Sequence, residues 1–486
     1  MSDHRPIGLI SSVAKLFEQI LLPRLTLTLL NTLSPDQAGG WMGADAAALY
    51  VWELLTLRAA GRCPDAVNGK ALTWLAFLDL ESFFDRVWRK GLLHALWKAG
   101  VKGKTFLLLR SYLETTTLYV IISGRVSESW ESILGVLQGS VLSMIFSALY
   151  LCSLQRALDA ANLGARWIAA DGTIRRTNSR FYVDDGLLPA ETQSALQKML
   201  EIVCAWTCKW RVKLRLGTDK TAFMCTGGND PGRNGHVFIN TIEGERVQLQ
   251  AVSCYVYLGL LIQCNLKNIQ LLETICKIGN QRTWAVSHLA AKHNLTTPRT
   301  LIMWHSLAYN AVKHLLTFCP INPRSAAKLS RTQEKWAKAI LGWDPKLSGQ
   351  AAISDLGWQH ITRLLMMTRC ALLARIMKLP DTPVFTRFKD ILNAASSVST
   401  CWTHHTTTMF QVAINPIPPP IGLVTWHSLI PLATRNLKSL MKPFDAPNFT
   451  ATLTSYSTLN IARQLTTNIH STDCRWTLTN VSTSAG

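Results

Sequence analysis

The chain has 486 residues, 50 Lys and Arg against 30 Asp and Glu, a formal net charge of +20 and 48% hydrophobic residues. This is too apolar for a disordered chain and long enough for two to four domains, each able to bury its own core without disulfides. The 12 cysteines are scattered, Cys204 and Cys208 apart, in no zinc spacing and no secreted framework, so they read as reduced intracellular thiols.

No signal peptide opens the chain, because Asp3, His4 and Arg5 precede only a short apolar run ending at Lys15. Residues 7–33 are apolar at helical spacing (Leu9, Ile10, Val13, Leu16, Phe17, Ile20, Leu21), and a second helix runs from Ala44 to Ala59. The short apolar run Leu72 to Leu80 suits a buried strand and ends in Asp79. Thr117 to Ile122, with Ser123-Gly124 and Arg125-Val126, reads as a hairpin.

The longest apolar stretch, Val136 to Leu154, is broken by Gln138, Gly139, Ser140, Ser143 and Ser147, so it reads as a buried helix from Leu137 rather than a membrane span. A second hairpin is predicted from Arg180 to Leu188, with Asp184-Asp185 at its turn. Leu196, Met199, Leu200, Val203 and Trp206 mark an amphipathic helix, and further strand signal lies in Val247 to Ile262. Residues 70–262 therefore alternate strands and helices as an α+β domain does.

From about 266 to 390 the pattern is helical and basic: Lys277 to Asp390 holds 17 Lys and Arg against 5 Asp and Glu, a surplus of 12. Such an excess favours a polyanionic partner, through phosphate contacts and counterion release. Within it, Lys328, Arg331, Lys335 and Lys338 share one helical face, with Leu329, Trp336 and Ile340 nearly opposite. From Asn393 the chain is Ser/Thr-rich, with Pro416, Pro418, Pro419 and Pro420 and no sustained periodicity, which predicts a poorly ordered tail. Cys401, His404, His405 and Cys474 have no metal-ligand spacing.

Asp79 and the pair Asp184-Asp185 end two separate strand signals and so could converge on one divalent-metal site. Two magnesium ions about 3.5–4 Å apart serve phosphoryl and nucleotidyl transfer, activating the attacking hydroxyl and neutralising the leaving oxygen. The competing reading is structural, with Asp-Asp making a hairpin turn and Asp79 capping a helix.

Context bears on that choice. Phe77-Leu78-Asp79-Leu80-Glu81-Ser82-Phe83-Phe84-Asp85-Arg86-Val87-Trp88 resembles the first catalytic motif of reverse transcriptases of the non-LTR (LINE-type) retrotransposon family. Gly135-Val136-Leu137-Gln138-Gly139-Ser140-Val141-Leu142-Ser143 resembles the next motif, and Phe181-Tyr182-Val183-Asp184-Asp185 is similar to the Tyr-x-Asp-Asp motif. Further matches are Arg5-Pro6-Ile7 with Lys15 and Glu18, Lys220-Thr221, and Tyr257-Leu258-Gly259 where the primer grip begins. Order and separation agree over roughly residues 5–345.

The resemblance implies a right-hand polymerase: partial fingers in 1–70, a palm with an antiparallel sheet and inserted finger elements in 71–262, and a basic helical thumb in 263–392, before the tail 393–486. It implies that Asp79, Asp184 and, less directly, Asp185 hold two magnesium ions, for which manganese can substitute, with the Leu80 carbonyl as an added ligand. Phe84 becomes the steric gate against a ribose 2′-hydroxyl, unless it is an ordinary core residue beside Phe83. Gln138 and Gly139 fall near the template and nascent base pair, and Lys220 becomes a proton donor to pyrophosphate or, read alone, a solvated lysine. Nucleic acid is expected on Lys328, Arg331, Lys335, Lys338, Tyr257 and Gly259. Expected partners are an RNA template, a DNA or RNA primer, dNTPs and a separate endonuclease, in nucleus and cytoplasm, with no membrane role.

The pattern departs from the family in Gln37-Ala38-Gly39-Gly40-Trp41-Met42-Gly43, where Gly40 and Trp41 replace a Phe-Arg pair whose Arg meets the incoming phosphates. Losing one charge-assisted hydrogen bond of roughly 1.5–3 kcal/mol predicts nucleotide use impaired about ten- to a hundredfold, unless Arg5 or another cation substitutes. Leu137 and Met144 also replace expected prolines. The chain begins almost at Arg5-Pro6-Ile7 and shows no Cys-His knuckle or RNase H signature, which suggests a piece or truncated copy of a mobile-element protein. Two alternatives stay open: a catalytically inactive RNA-binding remnant, and a group II intron-type maturase, disfavoured by Gln138-Gly139-Ser140 where maturases carry Gln-Gly-Gly.

Overall fold

The computed structural model describes residues 8–407 apart from 30–31, 40–41, 115, 123, 228–234, 268, 320–322 and 380–381. Helix α1 (Ser12–Leu29) buries Glu18, Leu21, Leu25 and Leu29, one stripe at steps of three and four. Helix α2 (Ala44–Ala59) lies where periodicity puts it and is buried on every side from Ala46 to Arg58. Strand β1 (Thr73–Glu81) follows, then α3 (Phe83–Arg86), α4 (Arg89–Lys98) and α5 (Gly103–Glu114). The predicted hairpin near 117–126 is part of two short ribbons: β2 (Thr117–Leu118), β3 (Ile121–Ile122), β4 (Arg125–Val126) and β5 (Trp130–Glu131), pairing β2 with β5 and β3 with β4.

The apolar run then forms α6 (Ser143–Ala160), not from Leu137 as expected. Residues 137–142 are a loop because Gly139 takes φ +109°, a backbone no helix contains. A hairpin of β6 (Ala165–Ile168) and β7 (Ile174–Thr177) leads to β8 (Arg180–Tyr182), β9 (Asp185–Ala190), α7 (Gln193–Trp210), β10 (Lys213–Leu214) and β11 (Ala222–Thr226). Two more hairpins, β12 (Phe238–Asn240) with β13 (Arg246–Gln248) and β14 (Cys254–Tyr257) with β15 (Leu260–Gln263), complete this part.

Five of these strands make one antiparallel sheet in which β9 lies along one edge of β1 and β11 and β10 along the other, with β8 outside β9. The alternation of a strand sorts β1 by face. Trp74, Ala76, Leu78 and Leu80 join a core with Phe146, Tyr150 and Leu154 of α6 and Met199, Leu200 and Val203 of α7. Leu75, Phe77 and Asp79 take the other face, where Tyr255 of β14 stacks on Phe77 with centroids 3.8 Å apart. Because both faces are covered, β1 reads as a continuous apolar run until it reaches Asp79.

Beyond residue 268 the described chain is helical: α8 (Ile269–Lys292), α9 (Thr297–Trp304), α10 (Asn310–Phe318), α11 (Pro323–Leu341), α12 (Gly349–Asp355), α13 (Ile361–Met377) and α14 (Pro383–Ser396). A π-helical turn, His305–Tyr309, joins α9 to α10. The prediction of a poorly ordered tail from Asn393 fails for residues 393–407. Cys401, Trp402, Thr403 and Thr406 are buried, and the Thr403 amide donates to the fully buried Glu53 of α2 at 2.6 Å, as does the Thr403 hydroxyl. Trp402 Nε1 donates to Thr317 O at 2.7 Å. Composition hides this anchoring because it depends on two long-range acceptors, Glu53 and Thr317 O, rather than on period; residues 408–486 lie outside the described residues. Among the described residues none of the 11 cysteines is in a disulfide, and no helix is long and apolar enough to cross a membrane.

Candidate active site

The sheet brings the two carboxylate motifs together. Asp79 at the end of β1 is the antiparallel partner of Asp185, the first residue of β9. Asp184 occupies the turn between β8 and β9, so Asp185 belongs to the strand rather than to the predicted turn. Lys220, just before β11, puts Nζ 3.5 Å from Asp79 Oδ2 and 3.7 Å from Asp219 Oδ2. The next residue, Thr221, accepts the Asp79 amide on its hydroxyl at 3.1 Å. Leu80 is buried in register with Leu214 of β10.

The turn carrying Asp184 is held under load. Val183 has φ +61°, a left-handed conformation that a β-branched residue adopts only when its surroundings impose it. Gln37 imposes it: its Oε1 accepts the Val183 amide at 3.1 Å and the Gly39 amide at 3.0 Å, while its Nε2 reaches Val183 O at 3.5 Å. The backbone of 36–38 runs along the edge of β8, with Phe181 N donating to Asp36 O at 2.9 Å and Ala38 N to Phe181 O at 2.7 Å. Gly39 must lack a side chain, since a Cβ there would stand 2.6 Å from Val183 N.

Tyr255 closes one side, its hydroxyl donating to Lys220 O at 2.7 Å. Burial, and then the negative charges of Asp79, Asp185 and Asp219, push its phenol well above the ordinary tyrosine range. On the far side, Glu18 organises the loop of Gln138 and Gly139. It accepts Val141 N at 2.6 Å and Ser140 Oγ at 2.8 Å, as well as the Tyr112 hydroxyl. Gln138 Nε2 reaches Asp85 at 3.4 Å, and burial raises the Asp85 carboxyl. Phe83 is 1% exposed and packed on Tyr150, whereas Phe84 is only partly buried.

The donor set at Asp79, Asp184 and Asp185 consists of hard carboxylate oxygens, the type magnesium takes. Among the described residues no group of three or more His, Cys, Asp or Glu side chains is placed to hold a metal ion together. Magnesium commonly keeps waters and substrate phosphate oxygens in its shell and draws one or two carboxylates from protein.

The cations of α11 fall as predicted, with Lys328, Arg331 and Lys335 exposed and Leu329, Trp336 and Ile340 buried. Lys328 meets Glu273 at 3.7 Å, and Lys338 turns back to its own helix end, donating to Pro345 O at 2.7 Å. Helix α8 adds a stripe unnoticed in the sequence: Lys277, Trp284, His288 and Lys292 share an exposed face, with the Trp284 and His288 rings stacked at 5.4 Å. Tyr257 is 2% exposed, and its hydroxyl donates to Arg180 O at 3.0 Å and so braces β8. Gly259 sits at φ +80° in the β14–β15 turn against the His314 ring. Arg5, Pro6, Ile7, Gly40 and Trp41 lie outside the described residues.

An antiparallel sheet with paired aspartates at a strand end and at a hairpin turn, with a lysine beside them, is an arrangement suited to metal-assisted phosphoryl chemistry. The family model for reverse transcriptase (RNA-dependent DNA polymerase) matches residues 1–262, more than half of the sequence, and the chain belongs to that family. Relatives include the RNA-directed DNA polymerase from mobile element jockey of Drosophila melanogaster, 24% identical over 299 residues, covering 60% of this chain and 30% of the relative. The jockey polymerase of Drosophila funebris is 26% identical over 274 residues, 55% of this chain and 27% of the relative. The matches span less than a third of the length of those curated relatives. Among solved structures, a Candida albicans telomerase in complex with a fragment of telomeric RNA is 12% identical, covers 81% of this chain and 57% of its own, and has a TM-score of 0.35. The family uses divalent metal ions.

Proposed function

We propose that the chain is the polymerase part of a non-LTR retrotransposon protein and extends a DNA or RNA primer on an RNA template with dNTPs. The observation that carries this reading is the cross-strand pairing of Asp79 with Asp185 beside Lys220, with Asp184 on a turn held by Gln37. In this reading residues 1–70 contribute to the fingers, 71–262 form the palm and 263–392 the thumb.

Asp79, Asp184 and Asp185 would hold divalent ions, two magnesium in the fullest form, which supply a lowered pKa at the primer 3′-hydroxyl and charge neutralisation on the triphosphate. The chain's own residues do the rest. Lys220, held against Asp79, is placed to neutralise pyrophosphate and to give it a proton. Phe84, the more exposed of its pair, serves as the gate beneath the sugar. The Gln138-Gly139 loop, fixed by Glu18, offers a small residue where the base pair approaches. Phosphates along the duplex meet Lys328, Arg331 and Lys335, with the Lys277 to Lys292 face of α8 alongside.

Primer extension on poly(rA)/oligo(dT) with dTTP and magnesium tests this. Extension by the parent chain, reduced at least about a hundredfold in Asp184→Asn, is the expected result, the scale on which preorganised charge acts in an active site. Salt-sensitive RNA binding with no extension by either chain would select the inactive RNA-binding remnant instead.

A further inference from the structure

The splint that holds the Val183 turn is itself anchored from α14, a helix lying wholly beyond residue 262 where the family match ends. Asp36, whose carbonyl accepts the Phe181 amide, has a fully buried carboxylate. Arg387 of α14 donates to it from Nη1, at 3.0 and 3.1 Å from the two oxygens. The adjacent Phe388, also fully buried, stacks on Tyr50 of α2 with centroids 5.7 Å apart. The Arg180 guanidinium lies over that same Tyr50 ring at 4.3 Å and donates to Pro35 O at 3.0 Å. Arg180 opens β8, and Asp36 opens the segment laid beside it. Two consecutive residues of α14 thus grip both backbones that run into the catalytic turn.

We propose that Arg387 is a positioning residue for nucleotide addition: by pairing with Asp36 it fixes the 36–39 splint, and through Gln37 it sets the Val183-Asp184 turn. The inference rests on the polymerase reading above and adds a determinant from outside the matched region. The physical reason is that a buried carboxylate with a two-oxygen partner has one low-energy position, and Gln37 is the residue directly after it. A splint free to shift by even a fraction of an ångström would pass that displacement to Val183 through the two hydrogen bonds that Gln37 makes with its backbone.

The test compares the full chain with Arg387→Met, Arg387→Lys and the double variant Asp36→Asn/Arg387→Met, which removes both charges of the Asp36–Arg387 pair together. Amide hydrogen exchange and dTTP kinetics are read in parallel. In Arg387→Met and in the double variant, amides 181–185 should exchange about tenfold faster while β1 and β11 keep their protection. Extension kcat should fall about ten- to a hundredfold with KM for dTTP within about twofold, and Arg387→Lys should recover most of both. Unchanged exchange at 181–185 in the double variant overturns the proposal. So does a uniform loss of protection across the sheet, which would mark Arg387 as a general stability contact. A parent chain that extends no primer refutes the polymerase reading alone, and the exchange measurement then still decides whether Arg387 governs the turn.

Discussion

Charged side chains around the sheet and those along α8 and α11 are treated in opposite ways. At the sheet, Glu18, Asp36 and Arg180 are buried and Asp79 is held by Lys220, each meeting named partners at hydrogen-bond or ion-pair distance. On α11 and α8, Arg331, Lys335, Lys277 and Lys292 project into water, and Lys328 has only an exposed pairing with Glu273. Chemistry at a reacting phosphorus needs groups placed to within tenths of an ångström, so each is braced by others. Attraction of a polyanion needs only the sign and density of charge on a face, so bracing would add little.

The contrast yields graded expectations. Asp79→Asn should lower primer extension by at least about a hundredfold while leaving template binding within about twofold, as measured by steady-state extension and filter binding. Gln37→Ala removes the acceptor of a buried amide and should cost about 1–3 kcal/mol of stability in denaturant titration. It should also lower extension about tenfold or more, because Val183 then loses the contact that holds φ at +61°. Equal extension by Gln37→Ala and parent would break the claim that the turn is braced.

Replacing Lys328, Arg331 and Lys335 together by Gln should leave kcat nearly intact. The slope of log K against log salt should shrink by about 2 to 3, one counterion per cation. A fall in kcat as large as that of Gln37→Ala would show the two regions to be less distinct than described.

The smallest effect concerns pH. Burial, opposed by hydrogen bonds from Thr403 and Thr56, pushes the Glu53 carboxyl above its ordinary 4.5. The folded state therefore holds that proton more tightly than the unfolded one. Its favourable contribution is complete below pH 4.5 and is lost as pH rises through the raised folded value. Glu53→Gln does not titrate, so its melting temperature should gain on the parent's as pH goes from about 5 to 8; a constant difference would contradict the assignment.

Much of the site is legible in sequence because it is local. The run 72–80 carries Asp79 next to its end, the pair Asp184-Asp185 interrupts a strand pattern, and α11 shows its two faces by period alone. The unreadable part consists of pairings between distant single residues. Nothing near Asp36 points to Arg387, nothing near Glu53 points to Thr403, and Glu18 shows its task only once Ser140 and Val141 are beside it. Gln37 stands in a segment expected to face incoming phosphates, and its hydrogen bonds to Val183 come from an edge pairing that no period encodes. The start of α6 at Ser143 is hidden for a related reason, since apolarity continues through residues that Gly139 bends into a loop.

The π turn at His305–Tyr309 acts as a phase shift. One extra residue in a turn rotates everything downstream by about 100° relative to an uninterrupted α-helix. With it, Trp304, Ala308, Val312 and Leu316 are all buried, and His314 Nε2 lies 2.9 Å from Leu258 O at the β14–β15 turn. Were residues 305–309 to take ordinary α geometry with none removed, Val312 and Leu316 would drift off the buried face and His314 would swing away from Leu258, whereas deleting one residue there would remove the bulge and keep the face. The bulge thus lets this stretch hold one residue more than an unbroken helix would, while His314 stays aimed at the hairpin that carries Tyr255 and Tyr257.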